Sequence, residues 1–177
     1  MVGPVYRVIH SMYESVSSIV RQGIDISRVI HQHVGLRQGC ILSPCLFSLF
    51  ISDLPQFLAD NGCQGVKLHD EWVRILLYAD DGALVASSQA DLQCMLNTLK
   101  QYCAKWRMFV NVKKTKIMSF SAQTQACPHM FTYDGRPLEL VSSFKYLGVM
   151  FSNVASKVCY TAAIEHRLVQ SKRLVAG

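Results

Sequence analysis

Two adjacent carboxylates, Asp80 and Asp81, sit between apolar stretches at residues 73–78 and 83–86, in the order Tyr78-Ala79-Asp80-Asp81-Gly82. Carboxylates at the tip of an otherwise apolar hairpin are costly unless something positive sits with them. A divalent cation is the natural partner. Mg²⁺ takes carboxylate oxygens and leaves its other positions to water or substrate phosphate. Two such ions can activate an attacking hydroxyl and stabilise a leaving pyrophosphate. Asp-Asp-Gly is also a good turn sequence, so the pair alone does not choose between the readings. His31 and His33 are spaced i, i+2 on a predicted strand and share a face. No third ligand lies near them in sequence, and a solvated or phosphate-facing pair is favoured over a metal site. The seven cysteines form no CxxC. Their odd number and spacing point to reduced thiols in an intracellular chain rather than to zinc or a disulfide framework. Cys40 reads as a small packing residue.

The elements that must hold these groups follow from periodicity. Gly3-Pro4 opens a short helix with Val5, Val8, Ile9 and Met12 at i, i+3, i+4, i+7. Residues 18–21 and 26–34 read as a hairpin around Gly23, made basic on one side by Arg21, Arg28, His31 and His33. A loop from Gly35 to Gly39 leads to Ser43-Pro44, an N-cap and a first helical residue. The helix predicted over residues 44–58 is apolar round most of its circumference and should be buried. Strands at 73–78 and 83–86 flank the acidic pair, with Asp81-Gly82 as the turn signal. Ser88 and Asp91 make a capping box for a helix carrying Leu92, Met95, Leu96, Leu99, Tyr102, Cys103 and Trp106 on one stripe. Strands are predicted at 108–112 and 116–120, a second Asp-Gly hairpin at 131–141 turning at Asp134-Gly135, and a β-rich run at 144–151. Helical spacing returns from about Ala155. The sum is an α+β fold, helices laid on a mostly antiparallel sheet.

Length and composition bound the rest. The 177 residues suffice for one domain and no more than two, and a 50% hydrophobic content excludes global disorder. Eighteen Lys and Arg against twelve Asp and Glu give a net charge of +6, which favours a polyanion as partner. The apolar run at 41–51 is too short and too interrupted to span a bilayer, so no membrane partner is expected. No secretory signal is visible at the N-terminus.

Taken in order, four segments resemble the reverse transcriptases of non-LTR (LINE-type) retrotransposons. Gly35-Leu36-Arg37-Gln38-Gly39-Cys40-Ile41-Leu42-Ser43-Pro44, with Leu46-Phe47, is similar to the loop and helix lining the nucleotide and template site. Tyr78-Ala79-Asp80-Asp81 resembles the catalytic hairpin. Residues 111–118, NVKKTKIM, resemble the next motif, and Phe144-Lys145-Tyr146-Leu147-Gly148 the primer grip. Any one is weak, but four in order are strong. The resemblance implies a polymerase palm with part of the fingers. Residues 1–34 are then a fingers and palm helix with its hairpin, 35–151 the palm core, and 152–177 the start of a thumb connection. It implies Asp80 and Asp81 as catalytic carboxylates and ligands of Mg²⁺ or Mn²⁺, with Lys114 assisting pyrophosphate departure. Gln38, Gly39, Tyr78 and Ala79 would border the nucleotide and primer end, and Gly35 and Gly39 would let the backbone approach closely. RNA template, DNA primer and dNTPs are the implied partners and the nucleus the implied compartment. A solvated Lys114 and a core-packing Phe144 remain open.

The resemblance also calls for a further aspartate N-terminal to Gly35, in a Phe-Asp…Ala-Phe-Asp pattern. Residues 1–34 hold only Asp25, without that pattern. The 177 residues are therefore expected to be inactive by themselves. The alternatives are a catalytically dead, nucleic-acid-binding relic of a retroelement and part of a maturase-type intron protein.

Overall fold

The computed structural model describes residues 3–32, 35–37, 39–120 and 130–153, with four helices and fourteen short strands among them. The α+β class holds. The chain divides into two units. One comprises the residues up to Leu54 with Leu76–Ala83, and the other Pro55–Ile75 with the residues from Leu84 onward.

In the first unit, α1 (Pro4–Glu14) starts on a proline, whose missing N–H would have no helical partner there. Its apolar stripe is largely open: Val5 and Val8 are exposed, while Ile9, Met12 and Tyr13 are half-buried. The predicted hairpin follows as β1 (Val16–Ser18) against β4 (Ile30–Gln32) and β2 (Arg21–Gln22) against β3 (Asp25–Ile26). Ser27 splits the ladder, because its Oγ accepts the Val20 N–H at 2.9 Å where a strand carbonyl would.

Next comes α2 (Ser43–Phe50), and the single helix predicted to residue 58 is in fact two. Pro55 has no N–H to return to the Ile51 carbonyl, and its ring would crowd that carbonyl. The chain turns instead, Leu54 N–H donating to Ile51 C=O at 3.1 Å, and restarts as α3 (Leu54–Asp60). The predicted burial of the first half also fails: no residue of α2 is buried, and Leu49 is 71% exposed. An apolar circumference requires covering partners but does not supply them, and none encloses α2 among the described residues.

In the second unit β5 (Val66–Leu68) and β6 (Glu71–Val73) form a hairpin that the sequence reading passed over. Helix α4 (Gln89–Trp106) is the amphipathic element expected. Ser88 Oγ accepts the Asp91 N–H at 3.1 Å, one half of the capping box. The other half is diverted: both Asp91 carboxylate oxygens accept backbone N–H groups, of Gln64 and Gly65, each at 2.8 Å. Met95, Leu96, Tyr102 and Cys103 are buried as predicted, together with Thr98, while Leu92 and Leu99 are half-buried and Trp106, expected on the same stripe, is exposed at the helix end.

Leu96 packs in a core with Ile117, Phe131, Tyr133 and Leu138, which Leu92, Leu99, Val110 and Val112 help to close. Tyr133 belongs to β10 (Thr132–Tyr133), which turns through Asp134-Gly135 into β11 (Arg136–Pro137). Both turn residues have positive φ, 52° and 71°, as a two-residue hairpin loop requires. Gln93 fastens β10 to α4, its amide Nε2 donating to Thr132 C=O at 2.9 Å and its Oε1 accepting Thr132 N–H at 3.0 Å.

Three strand expectations need correction. Residues 108–112 are not a strand, and 116–120 shrinks to β9 (Lys116–Ile117), paired in parallel with β12 (Glu139–Leu140). The 144–151 run is two strands, β13 (Ser143–Tyr146) and β14 (Val149–Ser152), joined by Leu147-Gly148 with φ of 48° and 81°. Short apolar runs carry no label for the point of reversal. Among the described residues the strands form separate two-stranded ladders rather than one broad sheet. The helical spacing from about Ala155 lies outside the described residues.

Candidate functional site

The acidic pair sits where β7 (Ile75–Tyr78) returns as β8 (Asp81–Leu84). The reversal uses Ala79 and Asp80, not Asp81-Gly82 as the sequence suggested. Val85 N–H donates to Arg74 C=O at 2.9 Å and fixes that register, which places Asp81 and Gly82 inside β8. The geometry needs a positive φ at Ala79, 49°. A left-handed conformation costs a non-glycine residue roughly 1–2 kcal/mol. Such strain is stored where the surrounding structure over-determines it. Asp80 thus occupies the tip and Asp81 the first residue of the return strand, and both are exposed.

The same unit supplies a cavity of about 490 Å³ at this hairpin. Ala79 and Asp80 line one part of it. Leu36, Arg37, Gly39 and Cys40 of the loop, with Ser43, Pro44 and Phe47 of α2, line the rest. This volume is in the range of small-ligand sites. Gly39 has a φ of 75° and Gly35 one of 95°, and a Cβ at either would meet nothing within 4 Å. Backbone conformation alone therefore calls for glycine at both.

A hydroxyl network ties the loop to the helices. Ser43 Oγ does not cap α2 as predicted; Leu42 holds the N-cap position. Ser43 Oγ donates instead to Arg37 C=O at 2.7 Å, and Tyr13 Oη of α1 lies 3.2 Å from it. Tyr13 Oη also donates to Cys40 Sγ at 3.7 Å. The Leu42 N–H, with Tyr13 next, holds the Cys40 thiol below its usual range. Cys40 is a half-exposed cavity residue rather than a packed one. The sequence reading missed Tyr13. Its signal was a polar tip ending the Ile9–Met12 stripe.

Gln38 and His33 lie outside the described residues. His31 pairs across from Ser17 in the basic hairpin, and Tyr78 is 65% exposed on β7. Lys114 belongs to the second unit, exposed in a turn closed by Asn111, whose C=O accepts the Lys114 N–H at 3.0 Å. Phe144 and Tyr146 alternate with Lys145 along β13, half-buried against its exposure, and Leu147-Gly148 make the turn.

Carboxylate oxygens are the donors that a hard divalent cation takes, and Mg²⁺ is commonly held by one or two carboxylates plus substrate phosphates. Asp80 and Asp81 fit that chemistry. No cluster of three or more His, Cys, Asp or Glu suited to a metal occurs among the described residues. No helix among them is long and apolar enough to cross a membrane.

Comparison with known proteins gives a consistent answer. The family described as reverse transcriptase (RNA-dependent DNA polymerase) matches residues 2–151. The RNA-directed DNA polymerase from mobile element jockey of Drosophila melanogaster is 31% identical over 65% of this chain and 13% of its own length. The probable RNA-directed DNA polymerase from transposon BS, also of Drosophila melanogaster, is 33% identical over 82% of this chain and 16% of its own length. A retrovirus-related Pol polyprotein from the type-1 retrotransposable element R2 of Popillia japonica is 29% identical over 82% of this chain and 25% of its own. The chain thus spans a quarter or less of each of these relatives.

Proposed function

Since the chain belongs to the reverse transcriptase (RNA-dependent DNA polymerase) family, with relatives in non-LTR mobile elements, we propose that it contributes the palm of an enzyme copying RNA into DNA from dNTPs. The observation that carries this reading is the placement of Asp80 at the edge of the cavity lined by Arg37, Gly39 and Ser43. An aspartate, an arginine and a glycine-bearing loop around one cavity suit a nucleoside triphosphate.

In this reading residues 35–151 are the palm core, 1–34 a fingers and palm helix with its hairpin, and 152–177 the beginning of a thumb connection. Asp80 and Asp81 would hold Mg²⁺ or Mn²⁺. The metal, when bound, supplies charge neutralisation for the phosphates and the attacking hydroxyl. The chain's own residues position the reactants, which is most of what phosphoryl transfer asks of a protein. Gln38, Gly39, Tyr78 and Ala79 border the nucleotide and the primer end. Lys114 brings a cation to the departing pyrophosphate, and residues Phe144, Lys145, Tyr146, Leu147 and Gly148 grip the primer. The net +6 suits a nucleic-acid partner.

One observation favours a second reading for the 177 residues by themselves. The net charge of +6 suits nucleic-acid binding, which needs no catalysis, as in a retroelement relic. Primer extension separates the two. The full-length element protein is expected to extend a DNA primer on RNA, with Asp80→Asn abolishing extension while RNA binding persists. The 177-residue chain is expected to bind RNA, more weakly as salt rises, and not to extend. Full extension by the Asp80→Asn full-length protein would overturn the assignment of Asp80. Extension by the short chain, lost on Asp80→Asn, would overturn its inactivity.

A further inference from the structure

In the second unit, Cys63 and Cys94 lie with their sulfurs 3.5 Å apart, although 31 residues separate them in sequence. We propose that they form a reversible disulfide under peroxide, a redox staple closing the segment that carries the Asp80–Asp81 hairpin.

Both backbones are held for it. Cys63 follows α3, its N–H donating to Leu58 C=O at 3.1 Å and its C=O accepting Arg74 Nε at 2.7 Å. Cys94 sits in the second turn of α4, which Ser88 caps and which the Asp91 carboxylate anchors to Gln64 and Gly65 beside Cys63. A disulfide needs sulfurs about 2 Å apart. No metal cluster of three or more groups claims these thiols among the described residues.

The two thiols differ in access. Cys63 is 2% exposed, while Cys94 is half-exposed. Burial first of all pushes the Cys63 thiol up to about 11, which keeps it protonated and slow to react on its own. The order of events follows. Cys94 Sγ attacks a peroxide oxygen, the O–O bond breaks, and a sulfenic acid and water result. Cys63 Sγ then attacks the Cys94 sulfur. The S–S bond forms, the S–O bond breaks, and the oxygen leaves as a second water with the Cys63 proton. Two thiols are oxidised by two electrons and one peroxide is reduced. A thiol reductant reverses the change.

Between the two cysteines lie β5, β6, β7 and β8. A bond at the base of that stretch removes conformations from the unfolded chain and so strengthens the fold.

The test uses the reduced 177-residue chain and one equivalent of hydrogen peroxide. Peptide mapping under non-reducing conditions should find the Cys63–Cys94 cross-link ahead of any pairing of Cys40, Cys45, Cys103, Cys127 or Cys159. The oxidised chain should melt several degrees higher, and dithiothreitol should restore the starting value. Cys94→Ser and Cys63→Ser should each remove the shift, and Cys40→Ser should keep it. Should a serine variant fail to fold, timed maleimide labelling of the native wild type decides, with Cys94 modified well before Cys63 and peroxide protecting both. Preferential linkage of another pair, or no Cys63–Cys94 link in chain that remains folded by circular dichroism, would overturn the proposal.

Discussion

Replacing Asp91 with alanine should be among the more damaging single changes at the surface of this protein. The Asp91 carboxylate accepts the N–H groups of Gln64 and Gly65, each at 2.8 Å. Hydrogen bonds to a charged group contribute about 1.5–3 kcal/mol where water cannot replace them. Gln64 is exposed and Gly65 buried, so the two bonds are unequal. Water takes over at the Gln64 N–H, and the loss there is about 0.5–1 kcal/mol. The Gly65 N–H is left without an acceptor and carries the larger figure. A carboxylate in the first turn of α4 also meets the positive end of the helix dipole, for roughly another 0.5 kcal/mol. The total is about 2.5–4.5 kcal/mol. With a urea m-value of about 2 kcal/mol/M, the midpoint followed by helical circular dichroism should fall by about 1.3–2.3 M. Asp91→Asn keeps one acceptor oxygen and should lie about midway. A midpoint for Asp91→Ala within error of wild type, or an asparagine variant as weak as the alanine one, would refute the reasoning.

Four further outcomes follow from the same structure. Gly65→Ala puts a Cβ 2.3 Å from the Val73 carbonyl oxygen at a φ of +83°, and should cost about 2–5 kcal/mol from overpacking and strain together. Gly62→Ala, at +81° with nothing within 4 Å, should cost only the strain, about 1–2 kcal/mol by urea melt. Met95 is fully buried, and Met95→Ala should lower stability by about 2–5 kcal/mol. The Lys100 ammonium holds the Asp134 carboxyl below its ordinary 3.8. A depressed carboxylate contributes stability above its unfolded value and loses it as pH falls through the folded one. The small deficit of Lys100→Met in urea should therefore be present at pH 7 and vanish well below pH 3.8.

Where one local pattern sufficed, the sequence was a good guide. The α4 stripe, the Ser88 cap and the hairpin around Gly23 are all where residue spacing put them. The two Asp-Gly pairs show the limit. Asp134-Gly135 turns, with both residues at positive φ. Asp81-Gly82 does not, because the ladder closed by Arg74 and Val85 moves the reversal to Ala79 and Asp80. Turn propensity is a local quantity, while register is set by what two strands bring together. The candidate site divides in the same way. Asp80, Gly39 and the start of α2 were named from motif order, and they line one cavity. Tyr13 was not, because its contacts with Cys40 and Ser43 span 27 and 30 residues. No periodicity reports such a distance. Ser43 has the side chain of a helix cap, but Arg37 C=O, six residues earlier, claims its hydroxyl.

The joint between Gln93 and Thr132 makes position 93 unusually intolerant of a near-isosteric change. Only a carboxamide presents a donor and an acceptor in one plane, as a peptide group does, and here the side chain stands in for a neighbouring strand. Deamidation to glutamate would alter the side chain by a single heavy atom. It would remove the donor to Thr132 C=O and to Asn97 Oδ1, and set a negative oxygen against two others. A change of one heavy atom at position 93 would thus loosen the hydrogen-bonded joint between α4 and β10, leaving the core that Leu96 and Tyr133 share to hold them.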